Sequence, residues 1–274
     1  MELPNISPKI SQIIPTYDID AFQTYQNNNW IYNKYTISKL QNLNCNIIPI
    51  TPTFFPVIIK PIYNLTGMSK DVYKITCKEQ FNIFDTHQGF WSPCFEGTHR
   101  SIDCVIINNK VIWTCCFIGY KLEGIIGAFD YWELTWKDIP QYLLNNINKI
   151  VSKLDNYTGI LNVESIEDNI IECHLRPGDI LYLNDKIIEQ IINLYTLGTW
   201  ELEDYVPQKL FLLPLWYQYL NKSLDIKTIL NEYKNLYYDY DYDDLPGPPF
   251  LKRQCLLIHK DLNVLLQIRE KVYE

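Results

Sequence analysis

Side chains of the types that hold metals and phosphates crowd into residues 159–178, GILNVESIEDNIIECHLRPG. Two runs rich in β-branched residues, 160–166 and 169–175, are joined by a polar bend at Glu167-Asp168, the pattern of a hairpin. Glu164 falls in the first arm, and Glu172, His174 and Arg176 follow at every second position of the other. Alternation places those three on one face of a strand, and Glu164 can join them from the neighbouring arm. A carboxylate, an imidazole and a guanidinium on a buried face need a metal, an anion or one another. Hard divalent cations take carboxylate oxygens, and Arg forks onto phosphate. The stretch is therefore a candidate metal–phosphate site. The same alternation also describes a half-exposed strand with one wet face.

The elements that must position this hairpin can be read in order. Residues 1–29, with scattered prolines and the run QTYQNNN, read as an irregular extension. In 30–43, WIYNKYTISKLQNL, the apolar Ile31, Tyr35, Ile37, Leu40 and Leu43 fit an amphipathic helix. The short apolar run 54–61, FFPVIIKP, ends in Lys60 and Pro61. A lysine ending a buried strand needs an anionic partner, or else snorkels to the surface. Loop 63–70, YNLTGMSK, could approach a phosphate through backbone N–H groups, although it is poor in glycine and no G-x-x-x-x-G-K-[ST] occurs. Residues 71–77 read as a strand. So do 90–95, FWSPCF, where Pro93 removes a ladder donor and predicts an edge or a bulge. Residues 101–107 and 110–117 form a second hairpin across Asn108-Asn109, a pair that tolerates positive φ. A helix spans 140–154 with Pro140 in its first turn, and another opens at Asp179 and runs to about Leu197. Beyond residue 200 come a helix (225–236), an acidic-aromatic run YYDYDYDD that reads as a solvated loop (237–244), a strand (255–259) and a final helix (261–272).

Composition bounds the function. With 274 residues, 47% of them hydrophobic and 20% charged, the chain is globular and holds one or two domains. It has no apolar run of the ~18 residues a membrane helix needs, and its N-terminus, MELPNISPKISQII, lacks the features of a signal peptide. The eight cysteines show no C-x-x-C and no zinc spacing; Cys115-Cys116, adjacent in strand register, suit buried free thiols. A reducing, cytoplasmic compartment is the expectation. A net charge of −8 with no Lys/Arg cluster argues against nucleic acid as a partner. The richness in Asn, Ile, Lys and Tyr suggests an AT-rich genome, such as that of a protist or a large DNA virus.

The order of NKYTISKL, FPVIIKP, SPCFEGTHRSID and GILNVESIEDNIIECHLRPG resembles the ATP-grasp superfamily, from Trp30 to Gly178. The resemblance implies an α+β fold of two lobes, with mostly antiparallel sheets around a nucleotide cleft. It implies lobes at 30–95 and 96–199, with 200–274 an α/β appendage. Lys34 and Lys60 look like the lysines that hold nucleotide phosphates. Residues 92–95 look like the hinge, with Ser92 at its start and main-chain groups of Pro93 and Phe95 bonding adenine. Glu164 and Glu172 look like the carboxylates that hold Mg²⁺, and Arg176 like the residue that stabilises the transferring phosphoryl group. The chain departs from the pattern at His174, where the family usually has Asn, at His99, where a ribose-binding Glu is common, and in the glycine-poor loop at Gly67. The stretch before the first lobe is also too short for the usual front domain.

The implied activity is that of an ATP- and Mg²⁺-dependent ligase. A carboxylate on an unidentified small molecule or peptide becomes an acyl phosphate, which an amine or other nucleophile then attacks. The alternative is a catalytically degenerate member that serves as a nucleotide-binding or interaction module. In place of the usual front domain, substrate recognition is expected from residues 180–274, from a partner, whether another protein or a second copy of the chain, or not at all.

Overall fold

The computed structural model of the chain describes residues 13–65, 69–84, 86–125, 127–136, 139–240 and 251–273. Helix α1 (Asp18–Thr24) and a 3₁₀ turn (Asn29–Tyr32) lead into α2 (Lys34–Leu40). Strands β1 (Asn46–Ile47), β2 (Val57–Lys60) and β3 (Tyr73–Ile75), helix α3 (Lys78–Phe81) and strand β4 (Phe90–Pro93) follow. These four strands form an antiparallel sheet in the order β1-β4-β2-β3. The chain then adds β5 (His99–Ile107), β6 (Lys110–Lys121), β7 (Phe129–Leu134), helix α4 (Gln141–Val151), β8 (Gly159–Ile166) and β9 (Asn169–His174). Helix α5 (Asp185–Leu197), β10 (Phe211–Trp216), helix α6 (Ile226–Asn231), β11 (Tyr237–Tyr240), β12 (Arg253–His259) and helix α7 (Leu262–Tyr273) complete it. Strands β5 to β12 build one eight-stranded sheet, ordered β11-β12-β10-β7-β6-β5-β8-β9 and antiparallel throughout. The α+β class and the pair of antiparallel sheets are as the sequence leads one to expect.

Both hairpins turn where polar residues accept positive φ. Asn108 and Asn109 lie at φ 48° and 60°, and Glu167 at 48°. Helix α4 buries Leu143, Ile147, Ile150 and Val151, one stripe at helical spacing, against apolar side chains that include Ile102, Cys104 and Leu161 of the large sheet. Helix α5 buries Ile187, Ile191 and Leu194 in a second cluster with Val105, Cys115 and Phe117. Asn184 caps its start by accepting from the Ile187 N–H at 3.1 Å, and Gly198 ends it in the left-handed region. Truncating a fully buried isoleucine such as Ile191 to alanine would cost about 3 kcal/mol. All eight cysteines are free thiols, and Cys115 and Cys116 are buried. Among the described residues no helix is long and apolar enough to cross a membrane.

Several expectations need correction. The extension before residue 30 is not irregular throughout, since it holds α1, whose Ala21 is buried against the core. The single helix expected over 30–43 is divided. Asn33 takes an extended conformation, and its side chain accepts from the Thr36 N–H at 2.9 Å to cap α2, so the 3₁₀ turn stops there. Pro93 lies in an interior strand, but at its own position that strand is paired on one side only, with β2. It is tolerated because β1 pairs only with Phe90 and Trp91 and does not reach it. The helix expected from Asp179 is a 3₁₀ turn (Asp179–Tyr182) followed by α5. The start of the acidic-aromatic run is β11, an edge strand that buries Tyr238. The rest of that run, 241–244, and Gly67 lie outside the described residues.

Candidate functional site

Register across β5, β8 and β9 assembles the polar side chains into rows. Ser101 faces Glu164, which faces Glu172; Asp103 faces Asn162, which faces His174. Residues directly opposite one another share a face, so each row runs across three strands. The sequence reading placed Glu164 beside Glu172, and the register agrees. Between the rows and the hairpin turn, Glu164 pairs with Glu172 while Ser165 pairs with Ile170, leaving Ile171 as a bulge. Gln41, at the end of α2, holds the Ile170 backbone at both its N–H and its carbonyl, each at 2.8 Å. The bulged Ile171 carbonyl accepts from Lys60 Nζ at 3.2 Å, so the end of β2 is tied to the hairpin.

Glu172, Glu164 and Asp18 each have a basic partner. The Lys34 ammonium contacts the Glu172 carboxylate. His99 Nε2 lies 3.2 Å from Glu164 Oε2, with the Phe129 and Trp132 rings at its edges. Arg176 forks onto Asp18 of α1 at 2.8 and 3.2 Å, and His174 Nδ1 meets the same Asp18 at 2.9 Å. Burial pushes the Glu172 pKa up, but Lys34 and then His174 outweigh it and hold the carboxyl well below its usual range. Burial acts likewise on Asp18, and His174 and Arg176 prevail there too, leaving it ionised. Lys60 is the opposite case. Burial and then the neighbouring Lys34 bring its pKa down to about 8.

A cavity of 560 Å³ opens beside this cluster. Lys34, Lys60, His99 and Glu172 line it, together with Ser92, Pro93 and Phe95. Its apolar walls include Ile58, Phe129 and Ile166. Beyond Pro93 the chain leaves β4, and the Cys94 N–H bonds the Pro56 carbonyl at 3.3 Å. Glu164, His174 and Arg176 are not part of the lining. One ligand atom from each of Glu164, Glu172 and His174 nevertheless lies within 4.8 Å of the others. Two carboxylates and an imidazole at that spacing form a donor set a divalent cation could bring together.

Residues essential to this arrangement went unnoticed in the sequence. Asp18 carries no local signal and meets Arg176 across 158 positions. Asp103 did carry one, because a lone carboxylate in the apolar run of β5 must find donors. It finds them in the Gly178 and Ile180 N–H groups, at 2.7 and 2.9 Å, and in Asn162 at 3.1 Å. Gly178 is required for this approach, since a Cβ there would come within 2.5 Å of the Asn162 amide nitrogen. Burial, and then Asp103, raises the pKa of the adjacent Asp179 to about 7.

At the level of sequence, neither a protein-family model nor a curated protein matches this chain. Solved structures do resemble it. An L-amino acid ligase from Bacillus licheniformis superimposes with a TM-score of 0.65 at 13% identity, over 89% of this chain and 71% of that one. Carboxyaminoimidazole ribonucleotide synthase from Aspergillus clavatus, complexed with ATP, gives 0.64 at 10% identity over 96% and 78%. N5-carboxyaminoimidazole synthetase from Staphylococcus aureus, complexed with ADP, gives 0.63 at 14% identity over 90% and 72%. At such identities the likeness is one of fold.

Proposed function

Because this chain has the ATP-grasp fold, we propose that it is an ATP- and divalent-cation-dependent ligase that activates a carboxylate for attack by an amine or other nucleophile. The observation that carries this reading is the convergence of Lys34, Lys60 and Glu172 on one cavity that also has apolar walls at Ile58, Phe129 and Ile166. The four-stranded and eight-stranded sheets would be the two lobes.

In this reading Lys60 and Lys34 bind phosphate oxygens as charge-assisted donors. Main-chain groups of Pro93 and Phe95 orient the adenine, and Ile58, Phe129 and Ile166 exclude water from the base. Glu164, Glu172 and His174 would hold the cation, Mg²⁺ by the family resemblance, and when bound it would supply charge neutralisation on the phosphates. A carboxylate oxygen attacks the γ-phosphorus and the bond to ADP breaks. The nucleophile then attacks the acyl carbon, and phosphate leaves. Such transfers depend on positioning and charge, and no side-chain nucleophile is needed.

One observation favours a second reading, in which the site binds nucleotide without turnover. The Arg176 guanidinium, which would stabilise the transferring group, is held by Asp18. A thermal-shift titration with ATP, ADP and GTP, with and without divalent cation, tests the binding. A ligand bound only by the folded state must raise its midpoint. A cation-dependent shift with ATP is expected, followed by phosphate release in a screen of carboxylates and amines. A shift without phosphate release selects the second reading, and no shift at millimolar nucleotide rejects both.

A further inference from the structure

His174 is fixed from behind by a group that leaves one nitrogen free to act. Asp18 Oδ1 lies 2.9 Å from its Nδ1, and the same carboxylate is forked by Arg176. A carboxylate held in this way accepts hydrogen bonds and does not donate them. Nδ1 therefore carries the hydrogen, and in the neutral ring Nε2 presents its lone pair. That Nε2 lies 4.0 Å from Glu172 Oε2, on the side of the Glu164 and Glu172 carboxylates. The ring is 3% exposed, and the edge contact with Tyr32 at 6.0 Å limits its rotation. A carboxylate that orients a histidine through one nitrogen while the other faces acidic neighbours is how proteins fix an imidazole ligand.

The donor set then decides the ion. Mg²⁺ favours oxygen ligands in a near-ideal octahedron. An imidazole nitrogen raises affinity for first-row transition ions, and Mn²⁺ among them also takes carboxylate and phosphate oxygens. We infer that this site takes a first-row transition cation, represented by Mn²⁺, in preference to Mg²⁺, with His174 Nε2 as a ligand and Asp18 as its positioning residue. The inference rests on the cation position proposed above, and it is independent of whether the chain turns over a substrate.

Mn²⁺ alone, titrated into the full chain without nucleotide and followed by electron paramagnetic resonance, tests it. Mn²⁺ should bind at least tenfold tighter than Mg²⁺ in competition. Pulsed spectra should show modulation from a directly bound ¹⁴N, and H174N should remove that modulation while keeping an oxygen-bound ion. D18N should weaken Mn²⁺ about tenfold or more and change Mg²⁺ affinity by less than a factor of about three. If D18N fails to fold, H174N carries the test alone. No Mn²⁺ binding, equal affinity for the two ions, or modulation that survives H174N would overturn the inference. A thermal shift with Mg²⁺ and ATP but no nitrogen modulation would reject this inference and leave the ligase reading standing. Nitrogen modulation without a nucleotide shift would do the reverse.

Discussion

Lys34–Glu172 and Arg176–Asp18 both tie the β9 edge to helices near the N-terminus, yet they stand in different surroundings. Lys34 and Glu172 both line the cavity, whereas neither Arg176 nor Asp18 does. In the first pair one ammonium contacts the carboxylate directly, with His174 Nε2 more distant at 4.0 Å. In the second, one carboxylate answers both a guanidinium and an imidazole. In the proposed reading, a phosphate entering the cavity replaces Glu172 as the partner of Lys34, which frees Glu172 for a cation. The Asp18 carboxylate has no such substitute. The difference separates a pair that a ligand can exchange from a clamp that holds α1 on the sheet and fixes the orientation of His174.

The largest expected effect comes from breaking the clamp. Asp18→Ala leaves Arg176 and His174 without their acceptor and should lower stability by about 3 kcal/mol, measured by urea unfolding. Replacing both partners, as in D18A/R176M, should recover part of that loss, because no uncompensated guanidinium remains. A loss below about 0.5 kcal/mol in D18A would show that the fork contributes no more than a surface pair.

Breaking the exchangeable pair should affect binding more than stability. Lys34→Met should weaken ATP about tenfold through the lost charge-assisted bond. It should also tighten cation binding in the absence of nucleotide, since Glu172 loses its competing ammonium. Calorimetric titration of each ligand checks both, and a parallel weakening of both would mean that Lys34 only organises the site.

A smaller, pH-dependent effect isolates Lys60. Its pKa in the empty chain is brought down to about 8 by burial and Lys34. An anion favours the protonated form and raises that value in the complex. ATP affinity should therefore be fully present below pH 8 and fall as pH rises through the bound-state pKa, by up to about tenfold per unit. K60R, charged throughout this range, should flatten the dependence.

How much of this was legible in the sequence follows from how local each signal is. The hairpin at 159–174 could be read because β-branched arms and a polar bend are local, and its register then placed Glu164 opposite Glu172. Lys60 was visible as a charge ending an apolar strand. The bulge at Ile171 was not, since it shows only in pairing with β8, and it gives Lys60 a carbonyl acceptor. Asp18 was beyond reach, because it stands in an N-terminal segment of scattered prolines and polar residues and its partners lie more than 150 positions away. Asp103 was within reach by asking what a carboxylate does inside β5. The start of the acidic-aromatic run misled because its charges suggested a loop, whereas Tyr238 supplies the buried face of an edge strand.

The most direct measurement is calorimetric titration of ATP, with Mn²⁺ or Mg²⁺ present, into the wild-type chain and Glu172→Gln. Wild type should bind one nucleotide per chain in a cation-dependent manner, and E172Q, which keeps the side chain's shape but loses its charge, should bind at least tenfold more weakly. Equal affinity in the two proteins would contradict the placement of the cation on this hairpin, and no binding by wild type would contradict the nucleotide site itself.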